Sequence, residues 1–204
     1  MNLIDIFTSN ASPLVASFVV NEFLISKGMP ENEAYALYGI GMSLLPLFML
    51  LSLGIKYIAD RYGRKIALTI NMLGMSISAV FVIFSQDFSS YLLGALIGNA
   101  FIAADIQMLL VNEEAPKEKR SQYFMVIKII GLIGALLVPF MRGIFITSDN
   151  PNWRAIFFLP FIGGSIVSLL IIFTLKESKG IPTEDGFLFF KGFKETTGEA
   201  SVKP

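Results

Sequence analysis

The sequence predicts an all-α integral membrane fold of six spanning helices, and three observations predict it. Hydrophobic residues make up 54% of the chain and charged residues only 16%, against about 25% charged in soluble domains. Charge-poor windows of about 20 residues, the length that crosses the hydrocarbon core of a bilayer, recur along the whole chain. Lys and Arg gather at the ends of those windows, so a net charge of zero conceals an uneven distribution. A nucleic-acid partner, which needs a basic face, is not indicated. The chain has no Cys and no His, which excludes disulfides, thiolate or imidazole metal sites and the Ser-His-Asp mechanism together. No nucleophile with a base and no phosphate loop is visible, so neither an enzyme nor a bound cofactor is expected.

The six windows fall at 9–27, 36–57, 66–85, 89–111, 122–145 and 155–175. Met1 to Asp5 lacks the basic start of a cleavable signal, so the first window is expected to stay as a mature helix. Gly28-Met29-Pro30-Glu31-Asn32 separates it from the second, and Ser85-Gln86-Asp87 separates the third from the fourth. Ala115-Pro116-Lys117-Glu118 and Ser148-Asp149-Asn150-Pro151-Asn152 carry similar turn chemistry before the fifth and sixth. Lys56, Arg61, Arg64, Lys65, Lys117, Lys119, Arg120, Lys176 and Lys179 fall on one face of this layout, against Lys27, Arg142 and Arg154 on the other. The positive-inside rule then puts both termini in the cytoplasm, with the chain in the plasma membrane. Lipid supplies no hydrophobic drive between helices, so close backbone approach must hold them together. Gly94 with Gly98, Gly131 with Gly134, Gly163 with Gly164, and Ser76 with Ser78 are read as packing positions.

Between the second and third windows lies Ala59-Asp60-Arg61-Tyr62-Gly63-Arg64-Lys65. Asp60 ends one helix, Gly63 permits a tight reversal, and Arg64 with Lys65 can reach neighbouring carboxylates or helix C-termini. This turn resembles the loop signature of the major facilitator superfamily, Gly-x-Leu-Ala-Asp-Arg-x-Gly-Arg-Lys-x-x-Leu. Ile58, Ala59, Asp60, Arg61, Gly63, Arg64, Lys65 and Leu68 take its positions, while Lys56 stands at its first Gly. Glu114-Ala115-Pro116 with Arg120 resembles the acidic-x-Pro-x-x-x-Arg loop of the family's sugar and organic-solute porters. Asn152-Trp153-Arg154 and Lys176-Glu177-Ser178 bracket the last window as in those porters.

The resemblance implies twelve helices in two six-helix halves, each an inverted pair of three-helix units around a midplane cavity. This chain would supply one half: a bundle over 1–178, with repeats near 9–85 and 89–175, and a tail over 179–204. The tail's Phe187 to Phe193 cluster, too short to span, would lie at the cytoplasmic interface as the start of a central linker. The resemblance also implies a conformational latch of Asp60, Arg61, Gly63, Arg64, Lys65, Glu114 and Arg120. The plainer alternative is that these charges only set topology.

An ionisable residue deep in a span costs about 2.5–3.5 kcal/mol, which makes each a functional candidate. Asp105 in the fourth window is the expected coupling carboxylate, and pairing with Lys128 or Arg142 is its structural alternative. Glu22, beside Asn21, lies toward the outer end of the first window, and snorkelling to the interface is the alternative there. The family's first and fourth helices line its cavity, which brings Asn21, Glu22, Asn99, Asp105 and Gln107 forward as substrate or proton candidates. On an ideal helix Asn99 and Gln107 lie about 80° apart and Asp105 about 120° from Asn99, so these cannot all face one point. Two departures qualify the mechanism. Gly94 replaces the Arg of the fourth-helix Arg-x-x-Gln-Gly pattern, and Val138 and Arg142 replace two glycines of the fifth-helix antiporter pattern.

The expected function is secondary transport of a small polar solute, such as a sugar or organic acid, by alternating access with proton symport. The bilayer, the solute and a second six-helix half, from a copy or another chain, are the expected partners. A non-transporting remnant, or an assembly partner of a full-length relative, is the alternative.

Overall fold

The computed structural model describes residues 1–102, 104–147 and 151–175. Among them, six helical segments are long and apolar enough to cross a membrane: Asn2–Lys27, Glu31–Tyr62, Arg64–Ile83, Phe88–Glu114, Arg120–Phe145 and Trp153–Thr174. All six predicted windows are present. The expected tail and the Lys176-Glu177-Ser178 bracket lie outside the described residues.

The first span opens with α1 (Asn2–Phe23), whose start lies seven residues ahead of the expected position 9. Asn2, Asp5 and Thr8 are buried by partners rather than solvated. Thr8, Ser9 and Asn10 donate their side-chain hydrogens to the carbonyls of Ile4, Asp5 and Ile6 at 2.7, 2.8 and 2.7 Å. A polar side chain that closes on its own helix in this way sits within a span at reduced cost. The left-handed Gly28 then ends the span.

The second span is three helices in line, α2 (Glu31–Met42), α3 (Leu45–Met49) and α4 (Ser52–Tyr62). Pro46 has no N–H to give to the preceding turn, and the helix is interrupted at Ser43 and Leu44. Gly63, at φ 104°, joins α4 to α5 (Arg64–Ile83) through a backbone conformation that side chains with a Cβ avoid.

The fourth span also breaks, into α6 (Phe88–Ile102) and α7 (Ile106–Glu114), with Asp105 left-handed between them at φ 49°, ψ 29°. Its start is capped by the Ser90 amide donating to Asp87 Oδ1 at 2.7 Å. That bond holds the Asp87 carboxyl below its usual range. The fifth span is α8 (Arg120–Phe145), and the sixth runs from a short 3-10 turn at Trp153–Phe157 into α9 (Phe158–Thr174).

α5 is the central post: 61% of its span window is buried, against 11% for the second span and 17% for the fifth. It packs mainly on α9 and α6, while α1 packs on α8. The predicted packing positions make those contacts. A Cβ on Gly94 would lie 2.9 Å from Val82 Cγ2. One on Gly134 would collide with the Leu3 carbonyl, and one on Gly98 with Ser78 Oγ. Two apolar clusters result, one at the Trp153 end around Phe7, Val19, Tyr91 and Phe157, the other at the Asp60 end around Ala59, Leu68, Met72 and Ile106.

Candidate functional site

Four polar groupings stand out against this apolar frame. The first is at the α4–α5 turn. Arg64, its side chain only 7% exposed, donates from Nη1 to Asp60 Oδ1 at 2.6 Å. It also grips Glu113 of α7 with both Nε and Nη2, at 2.8 and 2.5 Å. A planar guanidinium suits this bidentate grip, and such charge-assisted bonds are about twice as strong as neutral ones. The carboxylate that links Arg64 to the fourth span is therefore Glu113, while its neighbour Glu114, expected in the adjoining network, is exposed. Side chains six residues past Gln107 and seven past it differ by about 100° around α7, and only the former meets α5. Arg61 turns outward, donating to the Tyr57 hydroxyl at 2.7 Å and lying over the Tyr62 ring. Lys65 is half-buried, and Arg120 donates to the Ala115 carbonyl at 3.1 Å, bracing its own loop.

The second grouping lies at the opposite end. Glu22 accepts from Trp153 Nε1 at 2.7 Å and pairs with Arg154 at 2.7 Å. Arg154 also donates to the Ser85 carbonyl at 2.9 Å and stacks 4.4 Å from the Trp153 ring centroid. Trp153, 2% exposed, meets Phe23, Tyr91 and Phe157 edge to face. Glu22 and Arg154 thus tie the first and sixth spans to the loop after the third, and Glu22 lies off the cavity described next. Asn21 beside it is exposed.

Third is a cavity of about 360 Å³ between α1, α2, α5 and α6. Thr8, Ser9, Ser12, Tyr38, Ser78 and Asn99 are its polar walls, and Pro13, Met42, Val82 and Phe157 are among its apolar ones. Asn99 donates to the Leu45 carbonyl at 2.9 Å beside the proline-broken turn. Of the expected substrate or proton candidates, Asn99 reaches this cavity. Asp105 is exposed on a separate cleft of about 300 Å³ with Lys56, Met108, Asn112 and Phe124. Neither Lys128 nor Arg142 pairs with it.

The fourth grouping was not foreseen. Asp5, 6% exposed, accepts from Gln107 Nε2 at 2.7 Å. Gln107 also donates to Asn2 Oδ1 at 3.2 Å, and Asn2 donates to the Ile127 carbonyl of α8 at 2.6 Å. Asp5 Oδ1 and Gln107 Oε1 are buried with no partner. A signal for Asp5 exists in the sequence. Asp5, Thr8, Ser9 and Ser12 recur at three- and four-residue spacing, which draws one polar stripe along α1 from the carboxylate into the cavity wall.

Comparison with known proteins bears on the family and the fold. The family model described as Major Facilitator Superfamily matches residues 2–198. The chain belongs to the major facilitator superfamily. Over 119 residues it is 34% identical to the multidrug resistance protein MdtG of Rahnella sp. (strain Y9602), covering 58% of this chain and 28% of that protein. Among solved structures, the D-xylose–proton symporter superposes with a TM-score of 0.76 at 18% identity, over 96% of this chain and 51% of that one. The human organic anion transporter MFSD10 gives 0.64 at 20% identity, over 86% and 45%. These likenesses establish the fold: six membrane helices arranged as half of a superfamily transporter. The chain spans about half the length of those structures.

Proposed function

We propose that this chain is one six-helix half of a secondary transporter that moves a small uncharged, hydroxylated solute by alternating access, coupled to protonation of Asp5. The observation that carries the reading is the polar stripe of α1, which connects a buried carboxylate to the cavity through Thr8, Ser9 and Ser12. Hydroxyls and one amide line the cavity beside apolar walls, and no cationic side chain stands among them. That lining favours a sugar-like solute over an organic acid, whose carboxylate would need a fixed positive partner. Asp5, enclosed and one turn from the cavity, suits proton coupling better than Asp105 on its exposed cleft.

The Arg64 cluster is the latch in this reading. Asp60, Arg61, Gly63, Arg64 and Lys65 form the turn, with Glu113 as its bridge to the fourth span and Arg120 bracing the next loop. The two three-helix units meet at that bridge. Both termini face the cytoplasm, in the plasma membrane, and a second six-helix half completes the transporter.

Transport in proteoliposomes with the second half supplied tests the proposal. An imposed inward proton gradient should drive accumulation of a neutral sugar in the wild type. Asp5→Asn should abolish accumulation while leaving downhill exchange. Accumulation that persists in Asp5→Asn would remove the coupling role of Asp5.

A further inference from the structure

We infer that Asp5 and Gln107 form a one-proton carboxyl–amide pair that fastens α7, and that loss of this proton frees α7 and loosens the Arg64–Glu113 contact. The inference rests on the proton-coupled reading above and adds the route from the carboxylate to the latch.

The chemistry of the pair comes first. Gln107 Nε2 already donates to one Asp5 oxygen, while the other Asp5 oxygen and Gln107 Oε1 are both buried acceptors without donors. A proton on Asp5 Oδ1 supplies a donor beside two buried acceptors that lack one, the hydrogen bond we assign to the pair. Removing it, by transfer of H⁺ from the carboxyl to water on the Thr8–Ser9 side, leaves a buried carboxylate with one oxygen short of a donor. Asp105 and the Met1 amino group are the charges that act on Asp5. Asn2 and Gln107 are its neutral polar neighbours, and the nearby α8 carbonyl of Ile127 is already taken by Asn2. None of these is a dedicated cationic side chain, so protonation is the direct way to satisfy the pair.

The mechanics follow from α7. This helix has nine residues, of which Ile106 and Gln107 are buried. It is fastened at its start by Gln107 to α1 and at its end by Glu113 to α5. The two fastenings are about 9 Å apart along the axis and about 120° apart around it, so a turn of the helix moves both. Asp105 at φ 49° gives α7 a left-handed joint with α6, a conformation other than the helical continuation. Beside that joint the cleft lined by Lys56, Met108, Asn112 and Phe124 offers room for movement. A short helix with two buried residues, a joint and adjacent space is a low-stability element that one lost bond can release.

The absence of native cysteine permits a direct test. Spin labels on cysteines placed at exposed Ile66 of α5 and Asn112 of α7 report the α5–α7 distance in the full chain in liposomes. In the wild-type background, a longer-distance population should grow about tenfold as pH rises through the Asp5 titration, a shift within the reach of ordinary two-state equilibria. Asp5→Asn, whose amide imitates the protonated acid, should give the same distance distribution at every pH. Gln107→Leu should lose the pH response. Gln107→Glu, which makes two carboxyls share one proton, should keep it with the midpoint moved to higher pH. A wild-type midpoint in both Gln107 variants would overturn the pair while leaving proton coupling through Asp5 intact. A distance that ignores pH in the wild type would overturn both the pair and the reading it rests on.

Discussion

Arg64 shows how one side chain can be specified by its surroundings. Its guanidinium reaches three carboxylate oxygens on two helices, and the enclosing helices leave only 7% of it exposed. Removing a carboxylate from it leaves a buried charge short of a partner, whereas changing a neighbouring solvated acid does not. Glu113→Gln should therefore destabilise the chain by about 1–2 kcal/mol, a value kept low because the Glu113 side chain is 26% exposed. Glu114→Gln should change stability by less than about 0.5 kcal/mol. Thermal unfolding of the two variants in one detergent separates them, and equal losses would remove Glu113 from its assigned place. At this scale the sequence was legible in part. A turn with Asp60, Gly63 and Arg64 announces itself by charge between apolar runs, but two adjacent acids cannot be told apart until the helical phase of α7 is known. Asp5 was hidden for another reason. Acids near an apolar run's start read as solvated flanks, and only the fold shows Gln107 arriving from 102 residues away to bury this one.

At the scale of elements, glycine decides which helices can touch. Gly134 and Gly143 lie on the same helix, α8, and have opposite surroundings. The Leu3 backbone of α1 sits where a Gly134 Cβ would go, while nothing lies within 4 Å of one at Gly143. A backbone atom cannot swing away as a side chain can. Gly134→Val should thus push α1 from α8 and cost about 1–3 kcal/mol, the usual penalty for overpacking. Gly143→Val should change stability by less than about 1 kcal/mol, since helix propensity slightly favours Val over Gly and no clash opposes its Cβ. Measured midpoints that rank the other way would reject the packing argument. Element existence was readable because hydropathy and span length are properties of a local window. Element interruptions were less so. Pro46 marks the break in the second span, but Asp105, the joint of the fourth, looks in sequence like an ordinary intramembrane carboxylate.

At the scale of the whole molecule, burial is distributed unevenly for a reason. The second span has 11% of its window buried and the fifth 17%, and large apolar side chains such as Leu50 and Leu136 stand more than 60% exposed there. Lipid can cover these faces, but it cannot satisfy the hydroxyl and amide groups of the cavity that α2 and α3 help to wall. Backbone and side-chain polar groups at membrane depth need protein or water on every side. A second six-helix half placed against the second and fifth spans would close that cavity and also face the acidic side of the Arg64 cluster. Cysteines introduced at Leu50 and Leu136, in a sequence with none of its own, should cross-link to cysteines placed on that second half. A cysteine at Phe173, 83% exposed on the sixth span, should not, because that helix would face lipid in the closed assembly. Cross-linking at Phe173 alone would place the partner on the opposite side of the bundle, and with it the solute path.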